Sequence, residues 1–147
     1  MKIHLILFFI TLAVSLTVRA DKENETYFFR TVNYQQGLSN SAVLSIFQDN
    51  EGLMWFGTYD GANCYDGENM EVFRSDFSEQ KTLSNNIVHS IQQADSSCLW
   101  MTTHSGANRF SKDSRQIINN YDFGGDFVIH SNQKGNTWVL GYGWISY

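Results

Sequence analysis

Asp49-Asn50-Glu51-Gly52-Leu53-Met54-Trp55-Phe56-Gly57-Thr58 is the stretch whose reading decides the fold, because the chain writes it more than once. It returns 45 residues later as Ala94-Asp95-Ser96-Ser97-Cys98-Leu99-Trp100-Met101-Thr102-Thr103, and a third time as Asn132-Gln133-Lys134-Gly135-Asn136-Thr137-Trp138-Val139-Leu140-Gly141. The same offset relates Leu38-Ser39-Asn40 to Leu83-Ser84-Asn85 and Gly61-Ala62-Asn63 to Gly106-Ala107-Asn108. Trp55, Trp100, Trp138, Gly61 and Gly106 are therefore repeat anchors, and a period of this size belongs to solenoids, propellers or arrays.

One repeat reads as four strands. Ala42–Phe47 is short and β-rich, Asp49-Asn50-Glu51-Gly52 is turn chemistry with a glycine free to take positive φ, and Leu53–Thr58 is apolar again. Ala62–Tyr65, a turn at Asp66–Asn69, and Met70–Arg74 complete a meander, with strands a to d. The second unit predicts strands at 87–93, 99–103, 107–110 and 116–121; there Ser97 stands where Gly52 stood and must adopt or avoid a left-handed conformation. The third predicts strands at 127–131, 137–141 and 144–147. The expected fold is all-β, built of β-propeller blades that are four-stranded antiparallel meanders, in an incomplete ring of about two and a half blades; closed propellers need four to eight.

Lys2, a run free of acidic and basic side chains from Ile3 to Val18 apart from His4, and Val18-Arg19-Ala20 before Asp21 read as a signal peptide over residues 1–20. An uncleaved anchor is the alternative reading. Residues 21–37 follow as an N-terminal segment in which Tyr27–Arg30 resembles a d-type, ring-closing strand. Residues 38–82 then form blade 1, 83–124 blade 2 and 125–147 a partial blade 3, so the chain reads as a truncated piece of a larger protein, and as a poorly soluble one in isolation, with open blade faces. Without the leader, 8 basic side chains face 15 acidic ones, a formal charge of -7. No Lys or Arg cluster offers a phosphate-binding surface, so nucleic acid is not an expected partner. Cys64 and Cys98 read either as buried free thiols or as a bridge between neighbouring repeats.

Leu-Ser-Asn before strand a, the acidic turn with its glycine, Trp-Phe-Gly-Thr, then Gly-Ala-Asn and an aromatic at Tyr65 or Phe110 together resemble the two-component regulator propeller repeat, over about residues 27 to 147. The match is strongest in the first unit and weakest in the third, which lacks Leu-Ser-Asn. The tryptophans are followed by Phe56, Met101 and Val139 rather than Asp, which argues against WD40 repeats. The resemblance implies the periplasmic sensor part of a Bacteroidetes hybrid histidine kinase that detects glycan breakdown products, anchored in the inner membrane when full length. Its implied partners are an oligosaccharide ligand, the remaining blades and a second copy of the full-length protein. The kinase core would lie outside this chain.

In a meander blade the d-to-a and b-to-c connections emerge on one face and the a-to-b and c-to-d turns on the other. The first face carries the candidate ligand-binding residues Tyr59, Asp60, His104 and Trp144, whose rings can stack on sugars while polar groups take hydroxyls. The second carries acidic turns that read as merely solvated. His89, His104 and His130 lack metal-ligand spacing, and no His-Glu-x-x-His or Gly-x-Ser-x-Gly occurs, so neither a metal, a cofactor nor catalysis is expected. The alternative function is a fragment of a secreted propeller enzyme, a glycoside hydrolase or lyase with acids spread over several blades.

Overall fold

Alternating apolar strands separated by Asp, Asn and Gly turns fold as the repeat demands, into consecutive antiparallel meanders. A computed structural model describes residues 26–123, 127–132, 136–141 and 144–146. The signal-peptide reading of residues 1–20 lies outside the described residues. So do Tyr142, Gly143 and Tyr147. Blade 1 is β1 (Val43–Gln48), β2 (Met54–Thr58), β3 (Gly61–Tyr65) and β4 (Met70–Phe73), paired in that order. Blade 2 repeats it with β5 (Val88–Gln93), β6 (Cys98–Thr103), β7 (Gly106–Ser111) and β8 (Gln116–Tyr121). A three-stranded sheet follows: β9 (Phe127–Ser131), β10 (Thr137–Gly141) and β11 (Trp144–Ser146).

Register repeats along with sequence. Trp55 stands opposite Phe47 and Cys64, and Trp100 opposite Gln92 and Arg109. The innermost strand of each blade carries the same irregularity, between Val43 and Ser45 and between Val88 and Ser90. Gly52 takes φ 87 in the first a-to-b turn, while the only non-glycine residues with positive φ among those described are Lys81 and Arg115. Ser97 therefore avoids the left-handed region, and Asp95 Oδ1 holds its turn by accepting from Ser97 N at 2.9 Å.

The core lies between the sheets. Trp55, Ala62 and Cys64 of blade 1 pack against Val88, Ile91, Leu99, Met101 and Phe110 of blade 2. The other face of blade 2, with Cys98, Trp100 and Ala107, packs against Ile129 and Val139 of the third sheet. Cys64 and Cys98 thus sit in different inter-sheet cores as free buried thiols, and burial raises the pKa of both. Tyr27–Arg30 carries no strand assignment, and Phe28 and Phe29 are almost fully exposed.

The acidic turns do more than meet solvent, which corrects the sequence reading. Asn50 N donates to Gln93 Oε1 at 3.3 Å and Asn50 Nδ2 to Ser96 O at 3.1 Å, joining the first turn of blade 1 to that of blade 2. Lys112, almost wholly buried, bridges from blade 2 to Glu51 at 2.6 Å and also to Asn50. At the outer edge Arg115 pairs with Glu71 and lies 5.0 Å from the Phe73 ring centroid and 5.6 Å from that of Trp55. Two polar staples therefore clamp blade 1 to blade 2.

Candidate functional site

The b-to-c corner of each blade rests on one hydrogen-bonded frame, written twice. In blade 1 the buried Asn63 accepts from Ser39 N through Oδ1 at 2.9 Å and donates through Nδ2 to Phe56 O at 3.3 Å. In blade 2 Asn108 does the same with Ser84 N at 2.8 Å and Met101 O at 3.1 Å. Ser39 Oγ lies 3.0 Å from Thr58 Oγ1 and Ser84 Oγ 2.8 Å from Thr103 Oγ1; each threonine then donates to the carbonyl of Gly61 or Gly106, at 2.9 and 3.0 Å. Asn40 and Asn85 cap the approach to strand a, accepting from Ala42 N at 2.8 Å and Ile87 N at 2.9 Å. The Leu-Ser-Asn and Gly-Ala-Asn motifs are the two halves of this joint.

Gly61 and Gly106 are required twice over. Their φ values are 108 and 130, and a Cβ would collide with the carbonyl oxygen of Phe73 or Tyr121 on the neighbouring strand. Trp55 is fully buried and donates to Asp49 Oδ2 at 2.9 Å, while Asp49 Oδ1 accepts from Glu51 N and Leu53 N. Trp100 donates instead to Thr137 Oγ1 at 3.2 Å, because Ala94 replaces Asp49 in its turn. Trp138 is half-buried, its ring centroid 6.2 Å from that of His130.

On this fixed frame the tips differ. Tyr59 is exposed at the β2–β3 turn, and Asp60 beside it is held by Arg74 in a two-pronged pair at 2.9 and 3.2 Å, which raises the Arg74 pKa. His104 is exposed at the equivalent β6–β7 turn, 6.1 Å from the His89 ring. His104 borders a cleft of about 600 Å³ together with His89, Ser105, Asp122 and Phe127. Trp144 lies over Gly141 and beside Phe123, with ring centroids 6.0 Å apart, on the third sheet. The structure thus brings His104, of the four candidates, into the cleft, and leaves Tyr59 and Asp60 at the neighbouring corner.

His89, Asp122 and Phe127 were not singled out as ligand candidates from sequence. His89 belongs to an innermost strand and reads as an ordinary exposed strand residue. Asp122 and Phe127 flank the β8–β9 connection, which is shorter than its counterpart between β4 and β5, so the 45-residue offset breaks down there. Among the described residues no group of three or more His, Cys, Asp or Glu is placed to hold a metal ion. Nor is any helix among them long and apolar enough to cross a membrane.

The model of the two-component regulator propeller family matches residues 37–60, which hold the Leu-Ser-Asn joint, the acidic turn and Trp55. Histidine kinase P4 of Formosa agariphila is 36% identical over 70 residues, covering 48% of this chain and 5% of that protein. The extracellular domain of a hybrid two-component system from B. thetaiotaomicron superposes with a TM-score of 0.67 at 25% identity, covering 80% of this chain and 18% of that one. The chain therefore spans a small part of the length of the proteins it matches. Residues 37–60 match the two-component regulator propeller repeat and fall in the first of consecutive β-propeller blades, and the chain is similar in sequence and fold to the extracellular domain of a hybrid two-component system.

Proposed function

We propose that the chain is part of an exported, periplasmic sensing propeller of a hybrid two-component system, which binds glycan-derived oligosaccharide on the face carrying the b-to-c corners. Ligand occupancy would be relayed across the membrane by parts of the protein beyond these residues. One observation carries the reading: two corners share a hydrogen-bonded frame from Ser39 and Ser84 through Asn63 and Asn108, yet offer different tips, Tyr59-Asp60 and His104-Ser105. A rigid scaffold with exchangeable loop chemistry is how binding surfaces are commonly built. The match to an extracellular domain supports export.

Isothermal titration calorimetry of the protein against arrays of soluble plant and host glycan fragments tests it. Saturable binding without any release of shorter sugars is the expected result. Binding accompanied by cleavage would replace the sensor by a propeller hydrolase or lyase, and no binding to any saccharide would remove the ligand class.

A further inference from the structure

The d-to-a connection between blades 1 and 2, residues 74–87, lies on the face that carries the b-to-c corners and is fastened to both of them. Arg74 pairs with Asp60, and Gly61 N donates to Asn86 O at 2.7 Å. At its far end His104 N donates to Ile87 O at 3.1 Å and Asn85 Nδ2 to Ser105 Oγ at 3.1 Å. The loop therefore ties together the two tips whose chemistry differs.

Its own conformation is closed from within. Asp76 N donates to Thr82 Oγ1 and Thr82 Oγ1 to Asp76 O, each at 3.1 Å, while Asp76 Oδ1 accepts from Ser78 N at 2.8 Å and Ser78 Oγ at 2.6 Å. Lys81 O accepts from Ile117 N at 3.0 Å, which anchors the loop on β8 with Lys81 at φ 68. Within this clasp Phe77 is fully exposed. A lone exposed apolar side chain is ordinary on a protein surface, but this one is displayed by a hydrogen-bonded loop at the rim of a cleft.

That cleft is separate from the one beside His104, measures about 330 Å³ and falls within the size range of small-ligand sites. Phe77, Gln80 and Lys81 line it from the loop and Asn120 from β8. Among the described residues the side chains of Gln80, Lys81 and Asn120 have no hydrogen-bond or ion-pair partner, so two amides and an ammonium are left for a ligand.

We infer that this loop forms a saccharide subsite, in which the C–H face of a sugar ring stacks on Phe77 while Asn120, Gln80 and Lys81 bind its hydroxyls. This rests on the oligosaccharide reading above and adds to it a place and a stacking platform. The loop is clasped before any ligand arrives, so little loop entropy is lost on binding.

The test titrates the protein with cello-, xylo-, malto- and manno-oligosaccharides, oligogalacturonides and sulfated disaccharides. Phe77→Ala, Phe77→Trp and Asn120→Ala alter exposed side chains, and Asp113→Asn, in the β7–β8 turn on the opposite face, is the control. All four should melt with the wild type. For the saccharide that binds, affinity should fall about tenfold in Phe77→Ala and about threefold or more in Asn120→Ala, and hold in Phe77→Trp and in the control. The indole introduced at position 77 should also change its emission as that saccharide is added. Saccharide binding untouched by Phe77→Ala, or lost equally in Phe77→Ala and Phe77→Trp, overturns the subsite and leaves the oligosaccharide reading standing. Silence from every probe removes the two together.

Discussion

Blades 1 and 2 are built from the same sentence, yet their b strands live in different surroundings. All six residues of β6 are buried, Leu99 and Met101 against blade 1 and Trp100 against the third sheet. In β2 only Trp55, Gly57 and Thr58 are buried, while Met54 and Phe56, the counterparts of Leu99 and Met101, are half-buried. Ile46 is 65% exposed and its counterpart Ile91 6%. The side chains are comparably apolar, so burial here is decided by what stands beside the sheet. Blade 1 presents to solvent the kind of face that blade 2 uses as core, as a blade within a stack would.

The sharpest way to break this comparison is to remove a tryptophan. Trp55→Ala should cost about 3 to 5 kcal/mol, since a fully buried aromatic leaves a cavity and strands Asp49. Trp100→Ala should cost less within that range or below it, its indole being bonded across to Thr137 rather than within its own turn. Urea denaturation of both variants checks the order, and a reversed order would show that the blade 2–third sheet junction is the stronger one.

Frame substitutions test sameness rather than difference. Asn63→Ala and Asn108→Ala each remove a fully buried amide serving a backbone N–H and a backbone carbonyl, and each should cost about 2 to 3 kcal/mol. Thermal melts of the pair should agree closely. A large disparity would mean that the duplicated geometry hides unequal energetics.

The turns should part company next. Asp49→Asn weakens the acceptor for the Trp55 indole and two turn amides, at about 1 to 3 kcal/mol. Blade 2 has no matching sensitivity at Ala94, where an Ala94→Asp exchange should not stabilise its turn, because Trp100 points its N–H to Thr137. Equilibrium denaturation of the two exchanges separates them.

The smallest effect is one of pH. Burial raises the Asp95 pKa, but hydrogen bonds from Ser97 and Arg109 outweigh it and hold the group below its usual value. A depressed folded pKa stabilises above the unfolded value and loses that contribution as pH falls through the folded one. The blade 2 turn should therefore weaken below about pH 4, by less than about 1 kcal/mol given its solvent exposure. Comparing wild type with Asp95→Asn from pH 3 to 6 reads it out: the two stability curves should converge at the acid end.

The 45-residue echo was enough to read the blade count and nearly every strand, because period-2 apolar segments and Gly, Asn and Asp turns act locally. Gln116–Tyr121, Phe127–Ser131 and Thr137–Gly141 fall where the alternation places them. Of the four candidates read from the sequence, only His104 borders the cleft of about 600 Å³, at a tip where the repeat varies. His89 and Asp122 were not legible, since each reaches that cleft from a separate element, an innermost strand and a short connection, with no local pattern to flag it.

By itself the sequence determined the periodicity, the strand directions and the duplicated joint, since these follow from residue types at fixed spacing. Only the tertiary structure decided which faces are core, that Cys64 and Cys98 lie in separate layers, that the acidic turns clamp blade 1 to blade 2, and that Asn86 packs into the corner of blade 1. The reason is physical: spacing along the chain governs a strand and its hairpin, whereas burial, ion pairing and cavity depend on which sheet comes to lie against which.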